Sequence, residues 1–276
     1  MIRHCVRILR IFPGRFASTP IAVLAGMAMA TAAFATDRYE SALGAGFSDD
    51  TYSTFLESIH GRIRTHDLQD AVGGTDVDWS FVQETENRSY EATVMNTALR
   101  FSSAPESGKA TMNRCDYTGA ILTPGTALNV FDGAFAARWI ATASTFSFIR
   151  VAGFAGLGAN SGYDIQLRET TYSIPRWNNS GSQVTVFLIS NVKGTPVTGS
   201  IFFYGADGAL LATQALSLPP NGLQAVVTGS IPELEGLSGS AQIAHVGGYG
   251  ALSGKAVSLE PSTGFTFDTA MTPVAH

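Results

Sequence analysis

The sequence is short of sulfur and of lysine, with two cysteines and three lysines among 276 residues. It has no acidic residue before Asp37 and no charge of either sign from Phe16 to Thr36. An uncharged stretch behind Arg3, Arg7, Arg10 and Arg15 is the layout of a secretory leader. Ile21–Ala30 is its apolar centre, and Ala33-Phe34-Ala35 is the small-x-small pattern that signal peptidase reads. We therefore expect residues 1–35 to be a signal peptide, cleaved near Ala35. The rival is an uncleaved anchor, but the span is diluted with Ala, Gly, Ser, Thr and Pro. A lipid anchor is missing too. Leu24-Ala25-Gly26 is the run that precedes the lipid-modified cysteine of bacterial lipoproteins, and Met27 follows it with no thiol to carry a thioether. The expected product is periplasmic or secreted, with no stable membrane anchor.

Cleavage would deepen these shortages. It leaves 13 basic against 22 acidic residues, a net charge near −9. That balance disfavours nucleic acid and anionic membrane surfaces as partners. Cys5 leaves with the leader, so Cys115 becomes the only thiol and no intramolecular disulfide can form. Cys115 is then either a buried small hydrophobe or a thiol that pairs between chains. The first is favoured, because unpaired cysteine is among the most buried residue types. Stability has to come from one or two apolar cores, which about 240 residues can supply.

The motifs of common enzyme classes are also absent. There is no HExxH, CxxC or HxH, so His60, His66, His245 and His276 give no zinc-site spacing. His245, at a strand end before Gly247-Gly248, suits a structural hydrogen bond. Gly250-Ala-Leu-Ser253-Gly254 misplaces the serine of a nucleophile elbow. Gly254-Lys255 resembles a P-loop ending, but Tyr249 and Ala256 stand where a Gly and a Ser or Thr are required. Gly156-Leu-Gly158-Ala-Asn-Ser-Gly162 is one residue too long for a dinucleotide fingerprint and precedes a strand.

What is present is period-two alternation punctuated by turn residues. One short N-terminal helix is expected, capped at Asp49-Asp50-Thr51, with Tyr52, Phe55, Leu56 and Ile59 at helical spacing before Gly61. Asp78–Val82 and Ser89–Val94 read as a strand pair joined by the polar turn at residues 84–87, with further strands at 137–141, 146–151 and 163–167. Residues 102–130 are weakly patterned and read as a long loop. Beyond residue 170, Gln183–Ser190 is apolar at every other position and in between, which reads as a central strand covered on both faces. Ser200–Tyr204 and Ala209–Thr213 flank an Asp207-Gly208 turn, Pro219–Gly222 forms another, and strands follow at 223–227, 240–245, 254–259 and 264–267. The expected fold class is mainly β, with two β-sandwich (jelly-roll or Ig-like) domains at 36–170 and 171–270 and a tail at 271–276.

Asp76-Val-Asp-Trp-Ser-Phe81, the Tyr90 strand, Asp116-Tyr-Thr-Gly119, Phe148-Ile-Arg-Val151 and Tyr163-Asp-Ile-Gln-Leu167 together resemble the bacterial pre-peptidase C-terminal domain over residues 45–170. Ser80 replaces one strand aromatic of that family, and Glu86-Asn87 replaces its Ala-Gly turn. The resemblance implies a small jelly-roll-like sandwich with an accessory role in secretion, surface association or polymer binding. The second block, from Ile174-Pro-Arg-Trp177 to Phe265-Thr-Phe-Asp268, resembles β-sandwich domains of secreted bacterial proteins.

Two clusters are candidate sites. Asp67, Asp70, Asp76 and Asp78 are oxygen donors suited to Ca²⁺, without EF-hand spacing, and turn-forming Asp is the plainer reading. No other cofactor is indicated. Trp177, the aromatic expected in a loop, could stack on a sugar ring with Asn178 and Asn179 hydrogen-bonding its hydroxyls, or it could pack at the junction of the two blocks. Packing is favoured because no second aromatic completes a platform. The expected function is a non-enzymatic extracytoplasmic binding or surface-associated module, with cell-surface polysaccharide or protein as partner. The alternatives are a hydrolase using Asp67, Asp70, Asp76 and His66, and a structural protein that assembles by β-edge pairing.

Overall fold

The computed structural model describes residues 57–68, 76–95, 100–106, 108–128, 134–154 and 162–274. The expected leader, residues 49–56 of the expected helix, and Asp70 lie outside the described residues. Within them the chain forms eighteen strands in four antiparallel sheets, and the helical pieces are single 3-10 turns at Thr228–Ser230 and Pro232–Leu234. No helix among the described residues is long and apolar enough to cross a membrane.

The first sandwich contains β1 (Ile63–Asp67), β2 (Asp76–Glu84), β3 (Ser89–Met95), β4 (Ala110–Cys115), β5 (Ile121–Pro124), β6 (Thr126–Ala127), β7 (Phe135–Ile140), β8 (Thr145–Gly153) and β9 (Gly162–Glu169). One sheet is ordered β1-β9-β3-β7-β6 and the other β2-β8-β4-β5. The first strand pairs with the last, and the chain crosses between sheets at every step except β4–β5 and β6–β7, which is the double Greek key of a jelly roll. β2 and β3 are therefore not the hairpin expected from sequence. The turn between them, with Asn87 at φ 63°, carries the chain across the sandwich. In opposite sheets, β3 buries Tyr90, Ala92 and Val94 against Val82, Met112 and Ile149; as a flat hairpin those side chains would lack a facing layer.

Two further expectations are corrected in this lobe. Residues 102–130 hold three strands rather than a loop, and β4 pairs with β8 along its whole length. Its sequence, Ala-Thr-Met-Asn-Arg-Cys, has Thr111 as its one β-branched residue and no aromatic, yet five of its six residues are buried. Residues 57–60, the end of the expected helix, pair instead of coiling. Glu57 bridges Phe81 and His60 bridges Leu167, before Gly61 turns at φ 72°.

The second sandwich contains β10 (Tyr172–Asn178), β11 (Val184–Asn191), β12 (Val197–Gly205), β13 (Leu210–Leu218), β14 (Leu223–Val227), β15 (Ser238–His245), β16 (Leu252–Glu260), β17 (Phe265–Ala270) and β18 (Thr272–Pro273). Its sheets are ordered β13-β12-β15-β10-β18 and β14-β11-β16-β17. Turn chemistry behaves as read. Asp207 Oδ1 accepts the Ala209 N–H (3.0 Å) beside Gly208 at φ 83°, and Asn221 takes φ 54° before β14. β11 is central, but only one of its faces is covered. Thr185, Phe187, Ile189 and Asn191 are buried, while Val184, Val186, Leu188 and Ser190 are half-buried on the outer face. Each lobe has its own core. One is built around Tyr90, Met112, Trp139, Ile149 and Tyr163, the other around Trp177, Phe187, Phe203, Ile243 and Leu252.

Candidate functional site

β2 turns Asp76, Asp78, Ser80, Val82 and Glu84 inward, so two of the candidate calcium ligands face the interior of the first sandwich. Asp78 accepts the Tyr163 hydroxyl from the opposite sheet. The His66 ring stacks on Tyr163 at 5.5 Å, and Asp67 ends β1 opposite Gly162. Asp67, Asp76 and Asp78 are all buried, and among the described residues no three His, Cys, Asp or Glu side chains gather to hold a metal ion. A polar inward face needs partners. Glu84 shows how they are supplied: Arg114 grips both of its oxygens (2.8 and 2.7 Å), and Trp139 Nε1 (2.9 Å) and the Ser147 hydroxyl also donate to it. This network ties the two sheets together.

Trp177 is not a loop aromatic. It lies on β10, whose register shifts between Ile174 and Trp177, and that bulge leaves Pro175 and Arg176 exposed. The ring is fully buried, meets Phe203 edge-on at 6.0 Å, and donates Nε1–H to the Ser240 carbonyl (2.9 Å). Asn178 is bonded to Gln183 and Ser180, and Asn179 to Thr228 and Leu234. These three residues build the second core and offer no face to a sugar.

The aromatic surface lies elsewhere. On the outer face of the β2-β8-β4-β5 sheet, Trp79 and Phe81 of β2 stand beside Phe146, Phe148 and Arg150 of β8. Phe81 meets Phe146 edge-on at 5.9 Å, and Trp79 meets Phe148 at 6.3 Å. The Arg150 guanidinium lies 5.6 Å from the Trp79 ring centre. Phe146 is 57% exposed and Phe81 and Phe148 are half-buried, so the group forms an open apolar surface with a cation at one end. The β4–β5 hairpin reaches over that face: a Cβ on Gly119 would sit 3.5 Å from Trp79 Cη2. Asp116 Oδ1 shapes the turn by accepting Thr118 N–H and Oγ1–H and Ala120 N–H, and these bonds hold its carboxyl below the usual range. At the tip Tyr117 is 73% exposed. Sequence reading missed this surface, although aromatic-Ser-aromatic in both strands (residues 79–81 and 146–148) was the signal for it.

A smaller cleft of about 290 Å³ opens between residues 57–60 and the ends of β2, β3 and β9. Its polar groups already serve the fold. His60 Nδ1 accepts the Glu169 N–H (2.6 Å), Arg88 pairs with Glu169 at 3.3 Å, and the Tyr90 oxygen accepts the Thr85 N–H (2.9 Å). Burial pushes the Tyr90 phenol up. The Ser58 hydroxyl donates to Ser80, not to a base.

No family model matches the chain, and no curated protein is significantly similar to it. Among solved structures, a glycosyl hydrolase family 2 member from Bacteroides cellulosilyticus matches over 78% of this chain and 29% of its own, at 10% identity and a TM-score of 0.23. A likeness that low carries no argument about function.

Proposed function

We propose that the protein is an exported, non-enzymatic binding module that holds cell-surface polysaccharide on the outer aromatic face of its first sandwich. The observation that carries this reading is the cluster of Phe81, Phe146 and Phe148 at a solvent-facing sheet surface beside Arg150. The apolar C–H faces of a pyranose pack on such rings, while a guanidinium donates to its hydroxyls. The Arg-rich leader supports export, and the motif resemblance to pre-peptidase C-terminal domains supports an accessory role.

The test is retention of the protein on cell-wall polysaccharide and on peptidoglycan, with and without calcium, beside a Phe81→Ala/Phe146→Ala variant. Both rings are partly or largely exposed, so the variant should fold. Retention of the parent and at least a tenfold loss in the variant is the expected result. Equal retention of both forms would remove the aromatic face from the proposal, and a requirement for calcium would return attention to the Asp67, Asp76 and Asp78 region.

A further inference from the structure

β13 is an edge strand whose sequence, Leu-Leu-Ala-Thr-Gln-Ala-Leu-Ser-Leu, has neither a charge nor a proline along its nine residues. Natural edges are usually blunted by such residues, because an open row of N–H and C=O groups recruits other strands. Here one end is blunted by a side chain. Gln224 of β14 accepts the Ser217 N–H (3.0 Å) and donates to the Ala215 carbonyl (3.3 Å), so its amide stands where a neighbouring strand's peptide group would. Those bonds also fix the direction of the backbone. The N–H and C=O of residues 215 and 217 point outward, so by alternation those of Thr213 do too, while those of Ala212, Gln214, Leu216 and Leu218 turn toward β12. The Val246 N–H bond to the Thr198 carbonyl agrees, since it turns the even residues of β12 toward β15.

Beyond the Gln224 cap the edge opens into a groove of about 530 Å³, walled by residues 210–214 on one side and 230–233 on the other. Leu211 is the extra residue of a bulge, and Leu210, Ile231 and Pro232 supply apolar surface. Glu233 is exposed at the rim and makes no ion pair among the described residues. The open stretch, residues 210–214, is about 17 Å long at the rise of a strand.

We infer that this groove binds an extended peptide segment of a partner protein by strand addition on β13. The peptide would pair with the outward N–H and C=O of Thr213, lay alternate apolar side chains along Leu210 and Ile231, and present a lysine or arginine to Glu233. Main-chain pairing would give the affinity and the pockets the choice of sequence. A second copy of β13 is a poorer occupant. The Gln224 cap and the 230–233 wall restrict the open edge to about five residues, too little for two nine-residue strands to align about a two-fold axis. This site goes beyond the polysaccharide reading and lies on the other lobe, so either can fail alone.

The test is selection of linear peptides from a random displayed library on the purified protein, followed by anisotropy of a labelled synthetic winner. Thr213→Pro removes the outward N–H at a position where proline is tolerated in edge strands, and it should weaken the peptide at least tenfold. Glu233→Lys, at an exposed position on the rim, should weaken it about tenfold and shift selection toward acidic peptides. N-methylation at alternate peptide amides should abolish binding, while methylation of the intervening amides should not. Winners indifferent to both substitutions and to N-methylation would overturn the inference, as would failure to select any peptide. Concentration-dependent dimers that Thr213→Pro abolishes would overturn it in favour of a second copy. Retention on polysaccharide should be unchanged in both variants.

Discussion

His245 sits at the end of β15 with no exposed surface, stacked on Tyr172 at 5.8 Å, and its Nδ1 accepts the Gly247 N–H (3.1 Å). Burial pulls its pKa down to about 4; the Thr170 backbone opposes this and the Arg138 guanidinium adds to it. The neutral ring is thus the folded form. Between pH about 6.5 and 4 the unfolded chain carries a proton that the folded chain refuses, so stability is full above that window and falls as pH drops through it. The loss approaches about 3 kcal/mol at the acid end. Urea titrations at pH 7 and pH 4.5 should show this, and His245→Asn, which keeps an acceptor for Gly247, should flatten the slope between them. An unchanged slope would rule His245 out as its source. A structural hydrogen bond at His245 was legible from the strand end and the following glycines. The burial of Cys115 was legible as well: the thiol has no exposed surface, and burial pushes it up to about 11. Trp177 was readable only in part. Packing was the favoured reading, but at the junction of the two blocks; the ring lies inside the second core, on a strand whose bulge carries Pro175 outward.

Neighbouring residues on one strand test the orientation of an element. Phe187 faces the second core with no exposed surface, and Leu188 faces out beside Ala225 and Lys255. Phe187→Ala should cost about 3–5 kcal/mol through lost transfer energy and the cavity left behind. Leu188→Lys should cost about 1 kcal/mol or less, since the lysine stem can lie along the sheet. Denaturant midpoints at constant m-value measure both. If Leu188→Lys were as costly as Phe187→Ala, something covers that face, as the run of apolar residues first implied. Sequence alone could not decide this, because half-exposed valine and leucine on an outer sheet face are written in the same letters as a doubly covered strand. β4 presents the converse problem. Its position between β8 and β5 makes Asn113 and Arg114 strand residues, and the pairing with β8 depends on partners more than 30 residues away. The same distance dependence undid the expected β2–β3 hairpin. Local turn chemistry at Asn87 was real, but it turns the chain between sheets. The hairpin closed by Asp207-Gly208 was legible because its partners are adjacent in the chain, whereas the one closed by Asp116–Gly119 fell within the stretch read as a loop.

Across the whole molecule, the two cores share no residue, yet the lobes meet through a dense polar junction. The connecting residues are tied down: the Thr170 N–H and hydroxyl bond the Ser89 carbonyl and hydroxyl, and the Ser89 N–H bonds Thr171 Oγ1. Glu91, on the first lobe, accepts two bonds from Arg138 (3.2 and 3.0 Å) and one from the Tyr249 N–H of the second lobe. The Arg168 guanidinium lies 4.7 Å from the Tyr249 ring centre, and Asn87 donates to the Tyr204 hydroxyl. Glu91 is buried while Arg138 is partly exposed, so removing the carboxylate leaves a cation that water can still reach. The cost should lie below that of a fully buried pair, at about 2–3 kcal/mol. More telling is cooperativity. If Glu91 couples the lobes, the parent should unfold in one transition and Glu91→Ala in two. The tryptophans separate the lobes optically, because Trp79 and Trp139 lie in the first and Trp177 in the second. In a Trp177→Phe background fluorescence reports the first lobe alone, and calorimetry reports both. Coincident transitions in the parent that part when Glu91 is removed would establish the junction as the coupling element. A parent that already unfolds in two steps would mean that the lobes are stable independently and that the junction only sets their contact.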